Sequence, residues 1–266
     1  MNILDKIVAR KREEVREAKQ KVSLSELEQS VYFSQIVPSF KRQILAEGST
    51  GIIAEFKRRS PSKGDINGNA RVEDVLPGYE KAGVACASVL TDRDFFGGCD
   101  ADLIQAIELV KLPIIRKEFI IDPYQVYEAK SFGASAILLI GAILNASQTA
   151  DLAALANALG LEVLFEIHDE VELNQLNDHI QLVGINNRNL KTFKVDLEQS
   201  MRLAGMLPPE MVPVAESGIA SADDYFMLKN AGFKGFLMGE YFMKQPNPAE
   251  ACAAFCNLVR NEAATA

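Results

Sequence analysis

The sequence predicts a (β/α)8 barrel preceded by a helical extension, and three observations carry that reading. Eight short apolar runs recur beyond residue 50, at 51–56, 86–90, 112–116, 136–140, 161–167, 182–186, 211–215 and 235–238. Stretches of helical periodicity separate them, such as VEDVLPGYEKAG, DPYQVYEAKSFGA and SADDYFMLKNAG, the alternation of a parallel sheet with crossover helices. The units are similar in length, and no glycine-rich dinucleotide fingerprint follows the first run, which favours closure over an open doubly wound sheet.

The elements follow in order. Residues 1–50 read as about two helices, the first amphipathic through Ile3, Leu4, Ile7 and Val8, and they are expected to cover part of the barrel formed by residues 51–266. No linker interrupts the series, so residues 1–266 read as one domain. Gly83, Gly133, Gly160 and Gly232 stand just past periodic segments as helix stops. Ser147 and Ser221 stand at or near helix starts, as N-caps should.

Composition narrows the class. The chain is 48% hydrophobic and 24% charged, with a net charge of −8. Such a balance argues against a nucleic-acid or anionic-membrane partner, which needs a broad positive field. The four cysteines, Cys86, Cys99, Cys252 and Cys256, are scattered without zinc-ligand company and read as reduced residues. The charged N-terminal stretch has no apolar run long enough for a signal peptide or membrane span. A cytoplasmic setting is the expectation.

Strand alternation then sorts the polar residues. If Ile52, Ala54 and Phe56 face the helices, Ile53, Glu55 and Lys57 face the barrel interior. By the same rule Ile115 and Lys117, Leu164 and Glu166, Gly184 and Asn186, and Val214 and Glu216 point inward. Each polar member ends its strand, on the rim where barrels carry their chemistry. Unpaired buried charge costs several kcal/mol. The set is therefore either a mutually neutralising plug or a reaction centre, and its arrival from five strands at one end favours the second. Ser217, beside Glu216, is placed with the catalytic group.

A phosphate grip is the second signal. AESGI (215–219) and MGE (238–240) end the last two strands, where barrels often hold phosphate through backbone amides. Gly218, Gly239 and Glu240 fall in these turns, and Ser60 and Arg188 can add a hydroxyl and a guanidinium. The cations Arg58, Arg59 and Lys63 after the first strand are expected to face a small anionic ligand. Phe95 and Phe96 can pack or hold a flat ring. His168 and His179 read as solvated loop or surface residues. Ser60, Ser62 and Ser217 have no histidine partner for a serine triad, and the acids of TDRDFFGG lack metal-ligand company.

At these residues the chain resembles the indole-3-glycerol phosphate synthase family. The resemblance runs through IIAEFKRRSPSKG, VLTDRDFFGG, IIRKEFIID, GASAILLI, LFEIHDE, GINNRNL, VAESGI and FLMGEYF. The resemblance implies a (β/α)8 barrel that cyclises 1-(2-carboxyphenylamino)-1-deoxyribulose 5-phosphate to indole-3-glycerol phosphate in tryptophan biosynthesis, losing carbon dioxide and water. It implies no organic cofactor or metal. By motif position, Lys117 would be the general acid and Glu166 the acid/base of dehydration. Lys57 would pair with the anthranilate carboxylate or share proton delivery, with Glu55, Asn186 and Glu216 orienting both lysines and the ribulose hydroxyls. Ser60, Arg188, Gly218, Gly239 and Glu240 would grip phosphate, and Phe96, Phe119 and Leu138 would line the ring.

Departures are Glu118 after the key lysine, Asn189 after the arginine, the Gly97-Gly98-Cys99 loop and Tyr241 after Glu240. The expected partner is a small phosphorylated molecule, and no motif sets an oligomeric state, with a monomer slightly favoured. Two other readings are a different phosphosugar barrel, such as phosphoribosylanthranilate isomerase or a tryptophan synthase α chain, and a phosphate-ligand sensor without turnover.

Overall fold

Eight parallel strands follow one another around a closed barrel: β1 (Ile52–Phe56), β2 (Cys86–Leu90), β3 (Ile114–Lys117), β4 (Ala136–Ile140), β5 (Glu162–Ile167), β6 (Leu182–Asn186), β7 (Val212–Glu216) and β8 (Gly235–Met238). The structure is a computed structural model and describes residues 3–188 and 194–265. The strands fall on the eight apolar runs, with β3 and β7 reaching one residue further toward the mouth than the apolar pattern does. Lys117 and Glu216 thereby become strand residues, aligned by the ladder rather than left in loops.

Two apolar layers form, and the alternation divides them. Ile52, Ala54, Phe56, Val89, Ile137, Leu139, Phe165 and Ile185 pack outward against the helices. Ile53, Ile115, Leu138, Leu164, Val214 and Leu237 fill the interior. An inward stripe of branched side chains makes the barrel a packed core rather than a pore.

The extension holds three helices rather than two: α1 (Ile3–Lys21), α2 (Leu24–Glu28) and α3 (Phe40–Ile44). They serve opposite ends of the barrel. Phe40 and Ile44 of α3 are fully buried among Ile53, Cys86, Ala136, Leu182 and Val212, close to the strand starts, and plug the floor. Ser39 caps α3, and Glu162 at the start of β5 accepts from the Ser39 hydroxyl at 2.5 Å and the Lys41 N–H at 2.6 Å. Ile3, Leu4 and Ile7 of α1 instead line the mouth. The expected cover is thus also part of the core.

Helix ends follow their capping chemistry with one correction. Gly83, Gly97 and Gly133 adopt left-handed backbone as helix stops, and Ser221 accepts from Asp224 N–H as an N-cap. Ser147 lies inside its helix; Asn145 caps it, in a reciprocal box with Gln148. Between β5 and β6 a 3₁₀ stretch, Glu170–Gln175, stands where a full helix was expected. No helix among the described residues is long and apolar enough to cross a membrane.

Candidate active site

The rim residues meet at the C-terminal mouth of the barrel, around a cavity of about 420 Å³. Glu55, Lys57, Lys117, Glu166, Asn186, Glu216 and Ser217 line one part of it; Ser60, Arg188, Gly218, Gly239 and Glu240 line another; Phe96, Phe119 and Leu138 form an apolar wall with Ile140 and Leu237. These fifteen candidates therefore border one space, whereas Arg58, Arg59 and Phe95 do not line it.

At its centre Lys117 lies between two carboxylates. Its ammonium donates to Glu216 Oε2 and reaches Glu166 Oε2 at 3.4 Å. Asn186 Nδ2 donates to Glu166 Oε1 at 3.1 Å, and the ladder sets Asn186 beside Glu216. A Cβ on Gly184 would stand 2.0 Å from Glu216 Oε1, so only glycine at this inward position admits that carboxylate. Burial opposes the Lys117 charge, but Glu216, Glu166 and Glu55 outweigh it and hold the group protonated above the ordinary lysine range. Burial likewise opposes the Glu166 charge, yet Lys117, His168 and Asn186 hold its carboxyl well below the usual range. Glu216 is pushed the other way, by burial first and by Glu166 next.

A second pair adjoins the first. Lys57 Nζ donates to Glu55 Oε1 at 2.6 Å, while Ser88 Oγ donates to Glu55 Oε2 at 3.3 Å. Ser88 lies opposite Glu55 in the β1–β2 ladder. Gly239 leaves room for this pair, since a Cβ there would stand 2.6 Å from Glu55 Oε1.

The proposed grip has a cationic side and a backbone side. Arg188 Nη1 donates to Ser62 Oγ at 3.0 Å and Nη2 to Glu240 Oε2 at 3.2 Å; Lys63 reaches Glu240 Oε1 at 3.4 Å. Burial raises the Glu240 carboxyl, but Lys63 and Arg188 overcome it and lower its pKa. Its side chain therefore holds these cations rather than touching an anion. Ser217 and Gly218 are both left-handed, φ 66° and 77°. For a serine this conformation is strained, and Asn187 Nδ2 braces it by donating to the Ser217 carbonyl at 2.6 Å.

Of the loop cations only Lys63 lines the cavity. Arg58 turns away, forking onto Asp102 and donating to the Ala70 carbonyl, which ties the first loop to the helix Asp100–Leu109. Arg59 sits on a two-stranded hairpin with Asp65. Arg58 is structural because its partner Asp102 lies outside the mouth; Arg59 is exposed on the hairpin.

The apolar wall is built from both sides of β3. Phe96 and Phe119 approach with ring centroids 5.8 Å apart, tilted by 40°. Asp92 caps the short helix that carries Phe95 and Phe96, and Phe95 packs on the inner core. Glu118, the first departure, is buried and accepts from Thr91 Oγ1 at 2.7 Å and Lys11 Nζ at 2.8 Å. Lys11 also reaches Asp92 at 3.1 Å, so α1 is pinned to the loops bearing both rings. Gly98 packs on the Leu90 carbonyl, where a Cβ would stand 2.0 Å away; Tyr241 packs on Phe242 and Phe255. Asn189 lies outside the described residues.

Sequence reasoning misplaced His168. It is no solvated loop residue: its side chain is only 11% exposed, with Nε2 3.1 Å from Glu166 Oε1 and Nδ1 3.7 Å from Glu172 Oε2. The i, i+4 spacing to Glu172 was the available signal, but it needed the 3₁₀ turn to bring them together. Ser62 was also missed as lining, whereas Ile3, Leu4 and Ile7 of α1 line the mouth as the expected cover. Among the described residues no group of three or more His, Cys, Asp or Glu side chains is arranged to hold a metal, and the four cysteines are free thiols.

Known proteins resemble this chain over nearly its whole length. The family model described as indole-3-glycerol phosphate synthase matches residues 4–255. A protein of that name from Bacteroides thetaiotaomicron is 50% identical over 259 residues, covering 97% of this chain and 99% of its own. Another, from Polynucleobacter asymbioticus, is 44% identical over 94% of this chain and 97% of its own. Among solved structures, a mutant tryptophan synthase alpha-subunit from Pyrococcus furiosus superposes with a TM-score of 0.59 at 12% identity, over 79% of this chain and 98% of that one. At that identity the likeness is one of fold. The chain belongs to the indole-3-glycerol phosphate synthase family.

Proposed function

We propose that this chain converts 1-(2-carboxyphenylamino)-1-deoxyribulose 5-phosphate to indole-3-glycerol phosphate, carbon dioxide and water, as a carboxy-lyase of tryptophan biosynthesis. One observation carries the reading beyond family membership: Lys117, its side chain 11% exposed, sits between Glu166 and Glu216 in a cavity that Phe96, Phe119, Leu138 and Arg188 also line. A substrate with a flat aromatic end, a ketone and a phosphate fits that lining. The ring lies on Phe96, Phe119 and Leu138, and the phosphate on Arg188, Ser60 and the backbone about Gly218 and Gly239. Glu240 holds Arg188 and Lys63 ready for it.

With both ends held, the ring carbon bearing the carboxylate attacks the ketone carbon. Lys117 donates a proton to the ketone oxygen as charge develops there, in a site already arranged to stabilise it. Loss of carbon dioxide restores the ring. Dehydration then needs a proton delivered to the departing hydroxyl and one removed from the substrate, and Glu166 is the acid/base of that step. Lys57 offers a counter-charge to the substrate carboxylate, with Glu55 and Ser88 fixing the ammonium. Asn186 and Glu216 orient Glu166 and Lys117, and the Ser217 turn shapes the floor beneath the ribulose chain. The enzyme works in the cytoplasm in this reading.

The direct test is incubation with the carboxyphenylamino ribulose phosphate while indole absorbance and fluorescence are followed. The chain has no tryptophan, so that window is clear. Stoichiometric indole-3-glycerol phosphate and carbon dioxide are expected. Saturable binding without product would instead make the protein a sensor.

A further inference from the structure

His168 lies behind the reacting groups, on the far side of Glu166 from Lys117. Two buried carboxylates face its two ring nitrogens, Glu166 at Nε2 and Glu172 at Nδ1. The clamp is fixed by backbone as well: His168 N–H donates to Glu172 Oε2 at 2.6 Å, and Gln199 Nε2 donates to the His168 carbonyl at 3.2 Å. Both ring nitrogens are buried, and neither makes an aligned hydrogen bond. What the ring supplies is therefore charge. A neutral imidazole carries one N–H and would turn a bare lone pair toward one carboxylate; only the imidazolium suits an acid at each nitrogen.

The two carboxylates around Lys117 are thus unequal. Glu166 has Lys117, Asn186 and His168 about it. Glu216 has Lys117 alone as its cation among the described residues, and its Oε1 is buried without a hydrogen-bond partner. Environments that separate two acids in this way assign their roles.

We infer that His168 is a positioning residue: held as an imidazolium between Glu166 and Glu172, it keeps Glu166 a carboxylate, so that Glu166 receives the proton removed from the substrate while Glu216 is the acid able to hold a spare proton. The inference rests on the proposed reaction for the proton's origin, but the charge on His168 does not. The charged groups around the ring are Glu166 and Glu172, with Lys117 beyond Glu166; the helix Leu197–Ala204 meets the His168 backbone, where the Gln199 amide donates to the carbonyl. Burial lowers the affinity of the imidazole for its proton, but the two glutamates overcome this and push its pKa up to about 10.

The chain has two histidines, so nitrogen-15 NMR of the full-length His179→Gln protein reads His168 alone. An imidazolium signal unchanged from pH 5 to 8, and a Glu172→Gln variant in which the ring titrates at lower pH, are expected. A His168 ring already neutral at pH 7 would overturn the inference. That reading is independent of turnover, so its failure is distinct from failure of the proposed reaction. In His168→Gln the acid limb of the kcat profile should move up by about one pH unit or more, with KM changed less than about threefold. A uniform loss of kcat with the limb in place would mean that His168 is merely structural.

Discussion

The two ends of the barrel are closed by the same N-terminal extension in opposite ways. At the floor, Phe40 and Ile44 of α3 complete an apolar layer with Ile53, Leu182 and Val212. At the mouth, Ile3, Leu4 and Ile7 of α1 cover one side of a cavity that is lined elsewhere by the apolar wall and by ionised groups. The floor minimises free energy by excluding water. At the mouth the buried Glu55, Glu166 and Glu216 gather with the partly buried Lys117, an arrangement in which apolar residues of similar volume would often be as stable or more so. One end serves the fold, and the other retains charge that the proposed reaction would use.

Truncation should separate the ends most sharply. Removing residues 1–45 takes away Phe40 and Ile44 and should abolish soluble, cooperatively unfolding protein, whereas removing residues 1–8 should leave a folded barrel that binds substrate more weakly. Expression, circular dichroism and KM decide it; a fully folded barrel lacking residues 1–45 would make the floor plug dispensable. Phe40→Ala is the gentler version. It should cost about 3–5 kcal/mol in urea unfolding, with kcat near wild type at temperatures where the variant is folded.

Mouth variants should do the reverse. Arg188→Ala removes a charge-assisted contact present in ground and transition states alike, so KM should rise roughly 10–100-fold with kcat little changed. A large fall in kcat at constant KM would move Arg188 to the reacting centre.

The smallest effect concerns the pin between α1 and β3. Burial raises the Glu118 carboxyl, but Lys11 and Arg116 outweigh it and lower its pKa. A depressed acid contributes stability above its unfolded pKa and loses it as pH falls through the folded value. The stability gap between wild type and Glu118→Gln should therefore be flat from about pH 5 to 8 and close on further acidification. A gap that widened in acid would contradict the pairing.

How far the sequence foresaw this depended on the range of the interaction. Strand alternation is local, and it turned Glu55, Lys117, Glu166, Asn186 and Glu216 inward without further information. Pairings across the chain were not legible. Arg58 looked like a ligand contact until Asp102 appeared beside it, 44 residues away. Phe40 and Ile44 lie in a five-residue helix, too short for periodicity to reveal a buried face. His168 looked solvated because a 3₁₀ turn, not a helix, folds Glu172 back onto it. Asn145 was legible and missed: Asn-x-x-Gln is a capping box, which outweighs the isolated Ser147.

The claim that the mouth is retained for chemistry is tested most directly at Lys117. Single-turnover formation of indole-3-glycerol phosphate by Lys117→Met should be slower by about 10²–10⁴-fold, while a binding titration stays within about tenfold of wild type. Lys57→Met, measured beside it, should weaken binding as well, because the substrate carboxylate loses its counter-charge. A Lys117→Met rate within about tenfold of wild type would contradict the account and pass the general-acid role to Lys57.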